Sequence, residues 1–236
     1  MNDAWGSIRI AEGVTLASPT LDAERARRII KEADPFLTGQ HLAYPSDRNG
    51  TQTHLEAYFA TEAIIETPTF VAWLVDDLVR WMTAKDLRPR VIFAPGTDPV
   101  RRFVERLSRA VDAKPVYLET RPSGRFGDTI DGSVPADASV LTFNLTSLTG
   151  GRCIGYRLPD AAARSGGHVI GTAAIALGTS SLNEELRHRF SDNLYIALHV
   201  AVTNHNPDAC PANAPRLRPW QEASAEVIAR KKCVVP

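Results

Sequence analysis

The sequence predicts an α/β fold with a mostly parallel central sheet flanked by helices, on three observations. Short apolar, β-branched runs alternate with segments of helical length and period, the pattern of strands joined by crossover helices. At 236 residues the chain is long enough to bury one large core. One apolar run, Ala138 to Phe143, ends in hydroxyl residues and two glycines, as a buried strand does when it feeds a tight loop and a helix.

Taken in order, residues 1–19 hold no sustained period and read as an irregular arm with a short strand over Ser7–Ile10. Leu21–Ala33 is rich in helix formers and places Ala23, Ala26, Ile29, Ile30 and Ala33 on one face, and Asp34-Pro35 ends it. Phe36–Tyr58 is dense in Gly, Pro, Ser, Asp, Asn and Thr, which favours a hairpin or loop over a long helix. Thr67–Ala84 is the clearest helix, with Thr67 as cap, Pro68 in the first turn and an apolar face from Phe70 to Met82 flanked by Trp73 and Trp81. Arg90–Ala94 is a short strand, Pro95–Asp98 a turn, and Pro99–Val111 a helix capped by Asp98, with Val100, Phe103, Val104 and Leu107 inward.

Pro115–Glu119 reads as the next strand. The stretch Thr120–Gly132 follows, with glycines and a proline among two arginines, and has the composition of a mobile lid. Beyond the glycine loop, Arg152–Ser165 is helical in length with a kink or restart at Pro159. His168–Leu177 and Asn193–Val202 are apolar strands on either side of a short charged helix at Ser181–Arg189, and a last helical piece lies near Ala223–Arg230. The whole reads as a single domain over 1–236, with an N-terminal helix and hood loop to 66, an α/β core over 67–202 and a tail beyond.

Charge balance, with 27 basic and 27 acidic residues, argues against nucleic acid or an anionic membrane as partner. No segment has the length and apolarity of a membrane span and the N-terminus lacks a secretory pattern, so a cytoplasmic location is expected. Cys153, Cys210 and Cys233 have no Cys-x-x-Cys spacing and the six histidines are dispersed. Chance placement outweighs a zinc site built from Cys210, His205 and Cys233, and no metal site is expected from spacing.

The chemistry-bearing stretch is Asn144-Leu145-Thr146-Ser147-Leu148-Thr149-Gly150-Gly151. Glycines let a backbone approach a ligand closely, amides at a helix start carry the positive end of its dipole, and Thr146, Ser147 and Thr149 add hydroxyl donors, so the loop suits a phosphate. An ordinary strand, turn and helix is the plain alternative, because a lone Thr-Gly-Gly is weakly specific.

This loop resembles the phosphoribosyl-diphosphate loop of type I phosphoribosyltransferases, in which a strand is followed by two acidic residues, two further positions and Thr-Thr-Gly-Gly. Aligning the glycines puts Asn144 and Leu145 at the acidic pair and Leu148 at the first threonine, so the phosphate half of the motif is present and the ribose-binding half is not. By order of elements the resemblance extends over roughly residues 20–200 and is nearest the orotate branch. It implies a pyrophosphate loop at Gly96, Thr97 and Asp98. The acceptor pocket would fall in the Gly39–His54 region, where His41, Asp47, Arg48 and His54 supply the polar groups, and Arg121 and Arg125 would be the catalytic cations of the lid. Mg2+ as cofactor and a homodimer, with the exposed edge of the Thr67 helix as its surface, are implied by the same resemblance.

The expected function is therefore a pentosyl transferase that joins a sugar phosphate to a nitrogenous base or related acceptor, with an altered donor or acceptor. A non-catalytic sensor or partner subunit that binds a nucleotide or sugar phosphate is the competing reading, and a phosphate-ester hydrolase acting through Asp47, Asp98 or Asp128 is a weaker third. If the glycine loop is the anion cradle, Gly150→Val abolishes sugar-phosphate binding, measured by calorimetric titration, while the far-ultraviolet circular dichroism stays that of the parent; unchanged affinity refutes the role.

Overall fold

In the computed structural model of the chain the described residues are 8–45, 52–121, 123–149, 153–179, 186, 189–190, 193–205, 207–210 and 216–232. Five parallel strands form the heart of an eight-stranded sheet: β7 (Val91–Pro95), β8 (Lys114–Thr120), β10 (Ser139–Ser147), β11 (His168–Gly178) and β12 (Leu194–Val200). Across the sheet they run β12-β11-β10-β7-β8. In chain order the sequence of places is 2-1-3-4-5, which reverses between β7 and β10. Antiparallel strands close both edges, β2 (Val14–Leu16) beside β12 and β9 (Phe126–Asp131) beside β8.

Strand residues alternate between the two faces. Ile92, Ala94, Leu141 and Phe143 join the main core under α3 (Pro68–Ala84) and α4 (Asp98–Val111), whereas Val91, Phe93 and Val140 face α5 (Leu158–Arg164). Phe103 of α4 stacks on Phe143 of β10 with centroids 4.9 Å apart and planes 1° apart. The first helix, α1 (Ala23–Ala33), buries Ala26, Ile29, Ile30 and Ala33, accepts an N-cap bond from the Arg25 amide on Asp22, and ends with Asp34 in the left-handed region.

Four expectations change. The N-terminal arm is a hairpin of β1 (Ile8–Ala11) and β2 that extends the main sheet, and its three-residue second strand is too short to show a period in sequence. The stretch read as a mobile lid is mostly strand: β9 returns along β8 with Thr120 opposite Phe126 and Leu118 opposite Ile130, and among its described residues Arg121 and Ser123 to Arg125 form the tip between the two strands. Asp98 is the first residue of α4, with Thr97 at the N-cap position, so its exposed carboxylate meets the helix dipole from within the first turn. The expected helix over Arg152–Ser165 opens, within the described residues, as a π-helical turn at Cys153–Arg157, with Pro159 in the first turn of α5. Most of the Ser181–Arg189 helix lies outside the described residues.

The hood is a separate small sheet. β4 (Leu42–Pro45) and β5 (Gln52–Leu55) form its hairpin, the tail strands β13 (Asn204–His205) and β14 (Arg218–Pro219) flank it, and β3 (Phe36–Leu37) pairs with β6 (Tyr58–Phe59) nearby. A short helix α2 (Thr61–Ile65) and the tail helix α6 (Trp220–Lys232) join hood to core.

One buried network fixes α3 to the sheet. Asp77, fully buried, accepts hydrogen bonds at Oδ2 from the Tyr195 hydroxyl at 2.5 Å and the Ser18 hydroxyl at 2.7 Å, and Arg80 stands 3.8 Å from Oδ1. Burial and the neighbouring Asp77 carboxylate both push the Tyr195 hydroxyl well above its ordinary pKa, keeping it a donor. Tyr195→Phe removes one donor from a buried carboxylate and is expected to lower stability by about 1–3 kcal/mol with an unchanged denaturant slope in urea unfolding; a loss below half that range shows that Asp77 does not depend on it.

Candidate active site

Where strand order reverses, the crossovers leaving β7 and β10 go to opposite faces of the sheet, a topology that in sheets of this kind leaves a crevice beyond the strands' carboxyl ends. The glycine loop after β10 and the turn after β7 flank this crevice. The tip of the β8–β9 hairpin leaves from the same end because β8 is parallel to β7. A second cleft of about 350 Å³, between α5 and the start of β11, lies at the opposite end of the sheet.

The loop after β10 is held from several sides. Asn144 donates from Nδ2 to the Thr146 carbonyl at 2.8 Å and to Cys153 Sγ at 3.1 Å, bracing the strand end against the π-helical turn. Thr142 donates to Thr172 at 2.8 Å and Thr172 to the Ile154 carbonyl at 3.1 Å, which fixes that turn to the sheet from below. Gly178, at the end of β11, lies so close to the loop that a Cβ there would stand 2.6 Å from the Leu148 carbonyl oxygen. Ser147 and Leu148 are buried, so the polar side chains the described part of the loop turns outward are those of Thr146 and Thr149. Gly150 and Gly151 lie outside the described residues.

The acidic-pair positions serve packing instead of ligand contact. Leu145 is 3% exposed and belongs to the main core, and both hydrogens of the Asn144 amide have partners within the protein. The strand thus offers no carboxylate to a hard cation, so its residues do not fit a protein-held Mg2+.

Around β7 the Gly96 amide donates to the Leu118 carbonyl at 2.8 Å, and the Thr97 carbonyl accepts from the Arg101 amide. Arg101 lies over the Tyr117 ring at 4.1 Å and pairs with Asp131 at 2.8 Å, while Arg102 pairs with Glu66 at 2.6 Å. Both arginines at the start of α4 are therefore engaged with carboxylates, and Asp98 is exposed. Arg121 and Arg125 are exposed at the hairpin tip, which is closed by the Arg121 amide bonding to the Arg125 carbonyl at 2.8 Å.

The hood meets the glycine loop directly. Asn204 of β13 donates to the Leu148 carbonyl at 3.3 Å, and Thr61 at the start of α2 makes a short hydroxyl–hydroxyl bond with Thr146. His41 and His54 stand together in the hood, Nε2 to Nδ1 at 3.0 Å; Asp47 and Arg48 lie outside the described residues. Burial first, then His41 and His205, hold the His54 imidazole below its ordinary pKa. Although no pair of ligands shows metal-binding spacing in sequence, Cys210 Sγ also lies 3.0 Å from His41 Nε2.

Sequence reasoning missed Glu62. It accepts from the Tyr58 hydroxyl at 3.3 Å, its Oε2 is buried with no hydrogen-bond partner, and burial raises its pKa. Tyr44 lies close by: burial, then Glu62, then Cys153 raise its hydroxyl pKa. Trp220 of α6 packs on both tyrosines, with centroids 5.6 Å from Tyr44 and 6.0 Å from Tyr58. A carboxyl with an aromatic surround thus stands beside Thr61, the residue that touches the glycine loop. Only its position on a helix of five residues could have signalled it, and that is too short to show a period.

A raised folded pKa means that folding favours the protonated form of Glu62 relative to the unfolded chain. Its contribution to stability is therefore fully present below pH 4.5, its ordinary value, and is lost as pH rises through the folded value. In urea unfolding followed across that range, Glu62→Gln flattens the decline of stability with pH relative to the parent; parallel slopes in the two proteins refute the assignment.

No protein-family model matches the sequence, and no curated protein matches it. Solved structures do. Orotate phosphoribosyltransferase from Aeropyrum pernix superposes with a TM-score of 0.52 at 14% identity, covering 74% of this chain and 92% of that one. Mycobacterium tuberculosis H37Rv orotate phosphoribosyltransferase, in complex with Fe(III) dicitrate, gives 0.50 at 19% identity over 73% of this chain and 94% of its own. Leishmania donovani UMP synthase gives 0.52 at 10% identity, with 73% of this chain spanning 35% of that longer one. At these identities the likeness is one of architecture: the chain has a type I phosphoribosyltransferase-like fold.

Proposed function

We propose that this chain is a pentosyl transferase of the phosphoribosyltransferase type, acting on a sugar phosphate and a nitrogenous base or related acceptor. The observation that carries the reading is the meeting, at the switch point of the sheet, of a hydroxyl-bearing glycine loop with a hood that bonds to it at Leu148 and Thr146. In the reaction a nitrogen lone pair of the acceptor forms a bond to the anomeric carbon. The carbon–oxygen bond to the leaving group breaks with its electron pair on oxygen, through an oxocarbenium-like state. Thr146, Thr149 and the glycine backbone would anchor the sugar phosphate, and Arg121 and Arg125 would neutralise the leaving anion with geometry suited to phosphate oxygens. Tyr44, Trp220 and Glu62 would bound the acceptor side, a flat apolar surround with one hydrogen-bonding carboxyl. A role in nucleotide metabolism, a cytoplasmic location and a homodimer built on the edge of α3 belong to the same proposal.

One observation favours a second reading. Burial of Leu145 and an amide at Asn144 whose hydrogens are both taken within the protein leave the donor's ribose hydroxyls without the usual acidic partners, which suits a protein that binds a nucleotide or sugar phosphate without turnover. Incubation with phosphoribosyl diphosphate and a panel of purine and pyrimidine bases, following pyrophosphate release, separates the two. Release that depends on a base, and that falls about a hundredfold or more in Arg121→Ala/Arg125→Ala, supports the transferase. Saturable binding of nucleoside monophosphate with no release in any mixture decides for the sensor.

A further inference from the structure

His41, His54 and Cys210 reach one point from three separate segments. His41 precedes β4, His54 lies in β5, and Cys210 follows a 3-10 turn at Pro207–Ala209 in the tail. His41 Nε2 is 3.0 Å from both His54 Nδ1 and Cys210 Sγ, and the three ligand atoms all lie within 4.8 Å of one another. The two rings are set steeply to each other, with centroids 4.8 Å apart and planes at 74°, so neither stacks on the other.

Hydrogen bonding alone serves this group poorly. A single proton on His41 Nε2 can go to only one of its two neighbours at 3.0 Å, and two ring nitrogens facing each other need opposite protonation. A cation shared by the three atoms takes a lone pair from each. With Zn–N near 2.0–2.1 Å and Zn–S near 2.3 Å, a tetrahedral zinc ion holds its ligand atoms roughly 3.3–3.6 Å apart. The two 3.0 Å pairs reach that spacing by opening a few tenths of an ångström, and the third pair, within 4.8 Å, by closing up to about 1.2 Å through side-chain rotation.

We propose that His41, His54 and Cys210 hold a zinc ion that staples the tail to the hood hairpin. Two imidazoles and a thiolate are the borderline-soft donor set that zinc takes. Copper in a His-His-Cys set takes a weak axial thioether in its electron-transfer form, and neither the hood at 36–59 nor the tail from 203 contains a methionine. Among the described residues no fourth His, Cys, Asp or Glu joins the group, and the nearby His205 and Glu56 pair with each other at 2.6 Å. The fourth position is therefore left to a water or an exogenous ligand. Joining Cys210 to His41 closes a loop across 169 positions of chain, and fixes β13, whose Asn204 holds the Leu148 carbonyl of the glycine loop.

Zinc content and cobalt spectra of the full chain test the site. After purification and dialysis without chelator, about one zinc per chain is expected, falling at least about tenfold in Cys210→Ser and in His54→Gln while His168→Gln, at the far end of the sheet, keeps it. Cobalt-loaded parent protein should show the thiolate-to-cobalt charge-transfer band and the intense visible bands of a tetrahedral site, so the proposal remains testable even where a variant does not fold. A parent that takes up no zinc, a cobalt complex without the thiolate band, or equal losses in all three variants each overturns it. None of these readouts depends on transferase activity.

Discussion

A parallel sheet whose strand order turns back on itself must send the connections on either side of the turn to opposite faces. Here the reversal lies between β7 and β10, and almost every local arrangement follows from it. The helices α3 and α4 cover one face and α5 the other, so the ends of β7 and β10 are the place where neither layer closes over the sheet. Loops that begin there are fixed at the base by buried strands.

The protein uses that position unevenly. The β10 end is braced by Asn144, by the Thr142–Thr172 pair beneath the π-helical turn and by the close approach of Gly178. By contrast, the cations near β7 are paired with Asp131 and Glu66. Charge in this region is balanced locally, in keeping with the equal numbers of acidic and basic residues in the whole chain. The hood is the third participant, and it is assembled from both ends of the sequence: β4 and β5 from the N-terminal region, β13, β14 and α6 from the tail.

The parallel core was legible in sequence because each of its strands is a continuous apolar run and each long helix carries a strong period, as in Leu21–Ala33 and Thr67–Ala84. The carboxyl end of β10, where the glycine motif begins, was legible for the same reason. What escaped were the two-, three- and five-residue elements, β2, β13, β14 and α2, whose existence depends on a partner strand or layer from elsewhere in the chain. The β9 strand was hidden by composition: Gly127, Asp128 and Thr129 look like loop residues and become strand because β8 offers an open edge. Glu62 and the His41–His54–Cys210 group could not be read from spacing, because their members are brought together by packing across the hood.

Leu145 decides what the β10 side of this crevice can offer a ligand. Its side chain is part of the apolar interior, continuous with Phe143 and Leu148, so a carboxylate introduced there would sit in the core instead of facing a sugar. Under the proposed function, vicinal hydroxyls would therefore be recognised from the hood.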